Sequence, residues 1–368
     1  MPRIQPDIEA FARIKVVGIG GSGSNAVDHM IRTKVRGVEF IAINTDAQDL
    51  HHSLASKKIR IGKNLTKGLG AGMNPLIGKQ AAEETKDEIQ EAVRGADMVF
   101  VSCGLGGGTG TGGAPIVAKI ARDEGILTIG IVTKPFGFEG NQRAQIAEKG
   151  IIDLKEAVDA LIVVPNDRLL GLVQKETTFT GAFAICDEVL RQAVSGISDL
   201  ITMPGIINVD FADVKAVMQN TGSALMGIGS AQGEKRAEEA AKMAINSPLL
   251  ELSIDGAKGV LFAVSGREDM TMLEIQEAAN IITKSVDEYA KIIFGAIHDE
   301  RLKKNELKVT VIASGFPENY ANSKSQSLFQ NENGNGSGNA VKMRVKEEKE
   351  KTGDWEAVPA FLRRKKSE

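Results

Sequence analysis

An α/β fold with a doubly wound parallel sheet is predicted for the first half of this 368-residue chain. Two observations carry it. Apolar stretches of strand length alternate with longer segments whose apolar residues recur every three or four positions, and strands that alternate with helices pair in parallel. Residues 104–113, Gly-Leu-Gly-Gly-Gly-Thr-Gly-Thr-Gly-Gly, stand between a buried-strand stretch at 98–101 and an apolar helix at 114–121. A third observation, the loss of apolar residues after residue 316, predicts a tail that does not fold by itself.

Taken in order, residues 14–19 read as a buried strand, 20–25 (Gly-Gly-Ser-Gly-Ser-Asn) as a loop, and the next helix runs to about 34 with Ala26, Val27, Met30 and Ile31 on one face. A strand at 38–43 ends in Asn44-Thr-Asp46. The loop at 67–74 (Lys-Gly-Leu-Gly-Ala-Gly-Met-Asn) opens at Pro75 into a helix expected to reach 93 and stop at Gly95. After the strand and glycine run come a strand at 126–132, a helix at 142–158 and a strand at 161–164. Residues 178–202 form one long helix, its stripe of Phe183, Cys186, Leu190, Val194, Ile197 and Ile201 suited to a spine between two domains. Strands near 259–264, 292–297 and 307–313, with helices near 234–246 and 271–289, make a second, smaller α/β domain. The expected divisions are therefore 1–177, the long helix and following loop at 178–209, the second domain at 210–316, a disordered linker at 317–353 and a terminal peptide at 354–368. A flexible coil of the linker's length reaches about 30–35 Å. The peptide restores order-promoting residues: Asp354, Trp355, Val358, Pro359, Ala360, Phe361 and Leu362, then the basic run from Arg363. An aromatic and aliphatic cluster after a polar linker reads as a short motif that orders on a partner. Its basic end fits either anionic lipid or solubility alone.

Composition narrows the function classes. The chain is 42% hydrophobic and 25% charged with a net charge of −3, which does not suggest a nucleic-acid binder. No signal-type stretch opens it, and no later apolar run has membrane-spanning length. Two cysteines, Cys103 and Cys186, suit a reducing cytosol better than a disulfide framework. The four histidines show no ligand spacing, so no metal site built from side chains of one subunit is expected.

Glycines at 104–113 let backbone N–H groups curl round an anion, the following helix adds its positive end, and Thr109 and Thr111 add hydroxyls. Gly18-x-Gly20-x-x-Gly23 also matches a dinucleotide fingerprint. Against a simple Rossmann fold, the second strand ends in Asn44-Thr-Asp46 without one clear ribose-binding acid, and the second glycine loop would have no task. No Walker A lysine is present, because Gln80 follows Gly78-Lys79. In doubly wound sheets ligands bind where strands end in loops, so one site collects all these segments. Phe183 and Asp187, four apart, share a helix face: the ring would stack on a purine and the carboxylate accept two donors that guanine has and adenine lacks. On the residues alone, a core Phe and a solvated acid are the favoured reading, since most helical Phe residues are core.

Gly106-Gly-Gly-Thr-Gly-Thr-Gly112 is identical to the signature of the tubulin/FtsZ family of GTPases, and resemblance to the bacterial FtsZ branch continues from about Ile14 to the last residues, weakening across the linker. That resemblance implies a set of nucleotide contacts. GTP or GDP would be held by Gly20, Gly21, Ser22, Gly23, Ser24 and Asn25, by Ala71 and Gly72 near the γ-phosphate, and by Gly104, Gly107, Gly108, Thr109 and Gly110. Thr133, Glu139, Arg143 and Asn166 would lie around phosphates and ribose, with Phe183 and Asp187 at guanine. Ser22 and Ser24 stand where many relatives have Gly or Ala, which is tolerable if φ at Ser24 is negative. Asn208-Val-Asp-Phe-Ala-Asp213 is identical to the family's synergy loop, which implies that Asn208, Asp210 and Asp213 act on the neighbouring subunit's nucleotide with Mg²⁺. From the residues alone, Asp210 and Asp213 read as N-cap and third position of a helix. The family further implies a head-to-tail homopolymer that builds the cytokinetic ring, hydrolyses GTP on assembly, lies in the cytoplasm at the division site and meets other division regulators. Membrane adaptors of the FtsA or ZipA kind would take the terminal peptide.

Overall fold

The computed structural model describes residues 12–169, 171, 178–203, 205–247 and 254–316. The linker at 317–353 and the peptide at 354–368 lie outside these residues.

In chain order the first half comprises β1 (Ile14–Ile19), α1 (Gly20–Arg32), β2 (Val38–Asn44), α2 (Ala47–His52), β3 (Lys57–Arg60), α3 (Pro75–Glu84), α4 (Lys86–Val93), β4 (Met98–Gly104), α5 (Thr109–Asp123), β5 (Leu127–Lys134), α6 (Asn141–Ala157), β6 (Ala160–Pro165), α7 (Asn166–Leu169) and α8 (Phe179–Thr202). The strands stand in the order β3-β2-β1-β4-β5-β6, every neighbouring pair parallel. From Met98 to Cys103, β4 is buried throughout, as a parallel strand covered on both faces must be. Val16, Phe100 and Ile129 point to one core with Met30 of α1 and Leu190 and Val194 of α8. Val17, Val101 and Val132 point to the other, with Ala81 of α3, Ile89 of α4, Val117 of α5 and Leu154 of α6. The doubly wound sheet read from the sequence is borne out.

The second half adds β7 (Gly205–Ile207), α9 (Phe211–Met218), β8 (Gly222–Gln232), α10 (Arg236–Ile245), β9 (Gly259–Gly266), α11 (Met272–Thr283), β10 (Lys291–His298) and β11 (Glu306–Ser314). Its strands continue the same sheet as β8-β11-β9-β10-β7, now mixed in direction, joined where Ala160–Ile162 of β6 pair with Gly222–Ala224 of β8. Buried Asp159 secures that join: its carboxylate accepts from Thr128 N at 2.9 Å and Asn220 N at 3.3 Å.

Several elements differ from expectation. Residues 20–25 are the opening turns of α1 rather than a loop, because β1 passes directly into the helix. In the glycine run only 105–108 are loop; α5 starts at Thr109, five residues early. The helix expected over 75–93 breaks at Thr85, whose hydroxyl donates to Ala81 O and accepts from Gly62 N. The helix expected to 289 ends at Thr283, and beyond it Asp287 accepts from Tyr289 N in a turn. Short α2 and β3 are not legible in the sequence. Neither is β8, whose small residues lack a strand-like pattern. They are required because a Cβ on Gly229 would lie 2.0 Å from Ala240 O of α10.

Candidate functional site

Strand order reverses between β1 and β4, which leaves a crevice at their carboxyl ends. There a cavity of about 250 Å³ is lined by the ends of four strands and the residues just past them: Ile19 into Gly20, Gly21 and Ser22; Gly104, Leu105, Gly107 and Gly108; Thr133 and Pro135; and Asn166. A larger groove of about 790 Å³ between α3, α5 and α6 gathers none of these strand ends.

Two helix N-termini converge on the cavity. A Cβ on Gly20 of α1 would lie only 3.0 Å from Gly110 N of α5, so the chains touch through main chain. Neither first turn carries an acidic residue. The first N–H groups of a helix have no partner within it, and the first turns of α1 and α5 line one cavity, an arrangement that favours an anion. Gly107 has nothing within 4 Å of where its Cβ would stand, so the loop is open to a ligand there. Thr45 Oγ1 and Thr109 Oγ1 hydrogen-bond at 2.6 Å. Thr111 departs from expectation: its hydroxyl is buried and accepts from Gly106 N at 3.0 Å, tying the loop to its own helix instead of facing the cavity.

The opposite wall is built by side chains. Glu139 accepts from Phe136 N at 2.9 Å and pairs with Arg143 four residues on in α6. Asn166, at the first position of α7, is buried with Oδ1 lacking any partner among the described residues. An orphaned acceptor in a polar cavity is what a hydroxyl or amine of a ligand would satisfy. From α8, Phe183 and Asp187 both reach the cavity, as their spacing predicts. Phe136 meets Phe183 edge to face, centroids 5.3 Å apart at 85°. Burial pushes the Asp187 carboxyl up to about 6, with the nearby His29 opposing that rise. A desolvated carboxylate of this kind gains most from a ligand that donates to it.

The structure thus brings together Gly20, Gly21, Ser22, Gly104, Gly107, Gly108, Thr109, Gly110, Thr133, Glu139, Arg143, Asn166, Phe183 and Asp187. Five other candidates stand back from the lining. A Cβ on Gly23 would lie 2.6 Å from Ser102 O, so this glycine serves the contact of α1 with β4. Ser24 is buried with negative φ, and Asn25 is exposed. Ala71 packs under the loop, 2.9 Å from a Cβ on Gly108, and Gly72 has φ +58° in the turn before α3. Ile19, Leu105, Pro135, Cys186 and Leu190 also line the cavity, and the sequence reading does not include them. Cys186 and Leu190 lie on the same α8 stripe as Phe183, which is the available signal.

Asn208, Asp210 and Asp213 are not in this cavity. Asn208 Oδ1 accepts from Gly205 N at 2.8 Å, and Asp210 caps α9 by accepting from Asp213 N at 2.7 Å, as its position predicts. Asn208 and Asp210 are exposed. They follow the far end of α8, and from Asp187 to Thr202 that helix alone runs about 22 Å at 1.5 Å per residue.

Residues 13–174 match the family model of the tubulin/FtsZ GTPase domain, and residues 222–317 that of the FtsZ C-terminal domain. An empty FtsZ dimer from M. jannaschii is 49% identical with a TM-score of 0.80, over 83% of this chain and 89% of that one. CetZ1 from Haloferax volcanii, a GDP-bound monomer, is 22% identical with a TM-score of 0.73, over 86% of this chain and 98% of that one. CetZ2 from the same organism, a GTPγS-bound protofilament, is 20% identical with a TM-score of 0.72 and the same coverage. These last two share the fold.

Proposed function

Because the chain belongs to the tubulin/FtsZ family of GTPases, we propose that it polymerises head to tail and hydrolyses GTP where one subunit meets the next. The observation that carries this reading is the separation of the site into two ends. The cavity's two lining carboxylates have other tasks in this reading, Glu139 pairing with Arg143 and Asp187 meeting the base, so a group to position water must come from elsewhere. Asn208 and Asp210 stand exposed beyond the other end of α8. Stacking subunits in one direction sets the acidic end of one on the nucleotide end of its neighbour, and a heterologous contact that does not close gives a filament.

In this reading Asp187 accepts the two guanine donors, Phe183 stacks on the base, and Glu139, Arg143 and Asn166 hold the ribose side. The N–H groups of Gly20, Gly21 and Gly107–Gly110 cradle the phosphates, with Ala71 and Gly72 behind the γ-phosphate. Phosphoryl transfer needs an aligned water and charge stabilisation more than covalent chemistry. Asp210 and Asp213 of the adjoining subunit orient that water, and Asn208 donates from its amide. Mg²⁺ bound with the nucleotide would neutralise phosphate charge, and these carboxylates are the protein groups offered to its hydration shell. Hydrolysis weakens the contact and returns subunits to the pool. We further propose that the filaments form the cytokinetic ring in the cytoplasm, attached through residues 354–368 to membrane adaptors of the FtsA or ZipA kind. The divisions at 1–177, 178–209 and 210–316 then correspond to nucleotide holder, connecting spine and activating half.

The test is GTP turnover per subunit against protein concentration, with Mg²⁺, alongside sedimentation. Turnover near zero below a threshold and rising with pelletable polymer supports the shared site. Turnover that is flat on dilution means each chain hydrolyses alone, and the roles of Asn208, Asp210 and Asp213 would be withdrawn.

A further inference from the structure

Among the described residues, β10 is unpaired along half of its outer edge. Toward β9 it is paired in register from Lys291 to His298, whereas β7 meets only Ala296 and Ile297, with an irregularity between them. Lys291 N donates to Lys258 O at the start of the β9 side. By the alternation of a strand, the N–H and C=O groups of Ile292 and Phe294 point the other way. No strand among the described residues pairs with them there. Ile292 and Phe294 are 36% and 38% exposed, on the same face, and the Phe294 ring stacks on Phe262 at 5.5 Å. Exposed edges are normally blunted by proline, bulges or several charges. Residues 291–295, Lys-Ile-Ile-Phe-Gly, contain one lysine at the end and none of the other devices.

An unpaired ladder flanked by apolar side chains is complementary to extended backbone and to little else. We propose that the 291–295 edge of β10 is a docking site for an extended segment of a partner protein, added as an outer strand. Its inward residues would be apolar, covering Ile292 and Phe294, and an acidic residue would stand opposite Lys291. Such a strand, continued along β10, runs into β7, which leads within one residue to Asn208. Given the head-to-tail assembly proposed for this chain, the occupant would therefore lie at the contact that presents Asp210; docking itself does not depend on that assembly.

The experiment uses the full chain with GDP and a fluorescein-labelled peptide of sequence Asp-Val-Thr-Val-Thr-Val, together with the same peptide N-methylated on alternate amides. Saturable anisotropy is expected with the first peptide, and at least about tenfold weaker binding with the second, since N-methylation removes ladder donors. Phe294→Lys, checked for folding by circular dichroism, is expected to weaken the first peptide about tenfold or more. Equal binding of both peptides, no binding of either, or undiminished binding to folded Phe294→Lys overturns the proposal. So does a GDP-state dimer in sedimentation that Phe294→Lys abolishes, because the edge would then serve a second copy. If the peptide binds yet leaves GTP turnover unchanged, docking stands and its position at the subunit contact is withdrawn; if turnover is flat with dilution even without peptide, the head-to-tail assembly fails instead.

Discussion

The cavity at the strand ends and the Asn208–Asp213 segment are made of different material. Around the cavity, the part built by α1 and the loop before α5 is main chain: Gly20 abuts Gly110, and Gly106 N is held by the Thr111 hydroxyl. Those groups are placed by the packing of β1, β4, α1 and α5, so they persist in a single subunit. The segment instead presents Asn208 and Asp210 to solvent, with Asp210 capping α9. In the proposed reading, nucleotide binding reports on the fold of one chain and turnover reports on assembly.

The largest expected effect tests the acidic side. Asp210→Asn keeps an equally good helix cap but removes the charge. We expect it, like Asp210→Ala, to lower GTP turnover by a factor on the order of 10²–10³, the scale of losing one oriented group in a transition state, while equilibrium GTP binding is retained. Full activity in Asp210→Asn with loss in Asp210→Ala would reduce Asp210 to a capping role.

Gly23→Ala tests the main-chain side. Its Cβ would meet Ser102 O, a backbone atom in the central strand β4, at 2.6 Å. Overpacking of that kind destabilises by about 1–3 kcal/mol. The expectation is a lower thermal midpoint in the nucleotide-free protein and weaker GTP binding, since α1 must move off β4.

Asp187 divides the two nucleotide states by pH. Its carboxyl lies at about 6, raised by burial above the ordinary carboxylate value. In the nucleotide-free protein the folded state therefore binds more protons than the unfolded state between about 4 and 6, as carboxylates unfold to about 3.9. This residue's contribution to stability is full below that window and is lost as pH rises through 6. GTP affinity runs the opposite way, because guanine needs the ionised acceptor: it should fall as pH drops below about 6. Asp187→Asn should abolish both slopes and weaken GTP about tenfold to a hundredfold, the scale of hydrogen bonds to a charged group. Calorimetry at several pH values checks this.

The smallest effect is expected at Thr111→Val, which frees Gly106 N from its acceptor. A buried hydrogen bond contributes about 1 kcal/mol net, so GTP should bind a few-fold more weakly with turnover otherwise intact. A loss as large as that at Asp210 would mean that Thr111 contacts phosphate after all.

Much of this molecule is legible without coordinates, and the exceptions share a cause. β1 matches its sequence reading to the residue because a strand covered on both faces is mostly apolar, with only Lys15 reaching out to the Ala92 and Arg94 carbonyls. Phe183 and Asp187 meet in the cavity because helical spacing puts positions four apart on one face. The capping role of Asp210 and Asp213 follows from side-chain chemistry local to one turn. The starts of α1 and α5 are hidden because glycine is a poor helix former. There it is retained for contact with another element, Ser102 against Gly23 being the clearest instance. β8 is hidden for the same reason, since its small residues answer to α10 and not to their neighbours in sequence.

The alternation of strands β1, β2, β4, β5 and β6 with helices, the unbroken burial of Met98 to Cys103 in β4, the glycine run and the spacing of the acids were determined by the sequence itself, because each rests on interactions within a few residues or on simple periodicity. Tertiary structure alone decided that Thr111 turns away from the cavity, that Asp187 is desolvated enough to hold its proton to about pH 6, and that Phe183 meets Phe136. It also decided that the two halves of the sheet fuse through β6 and β8, and that the strand-end cavity and Asp210 lie toward opposite ends of α8. Those outcomes depend on residues far apart in the chain occupying one place, and distance through space is not written in any local pattern.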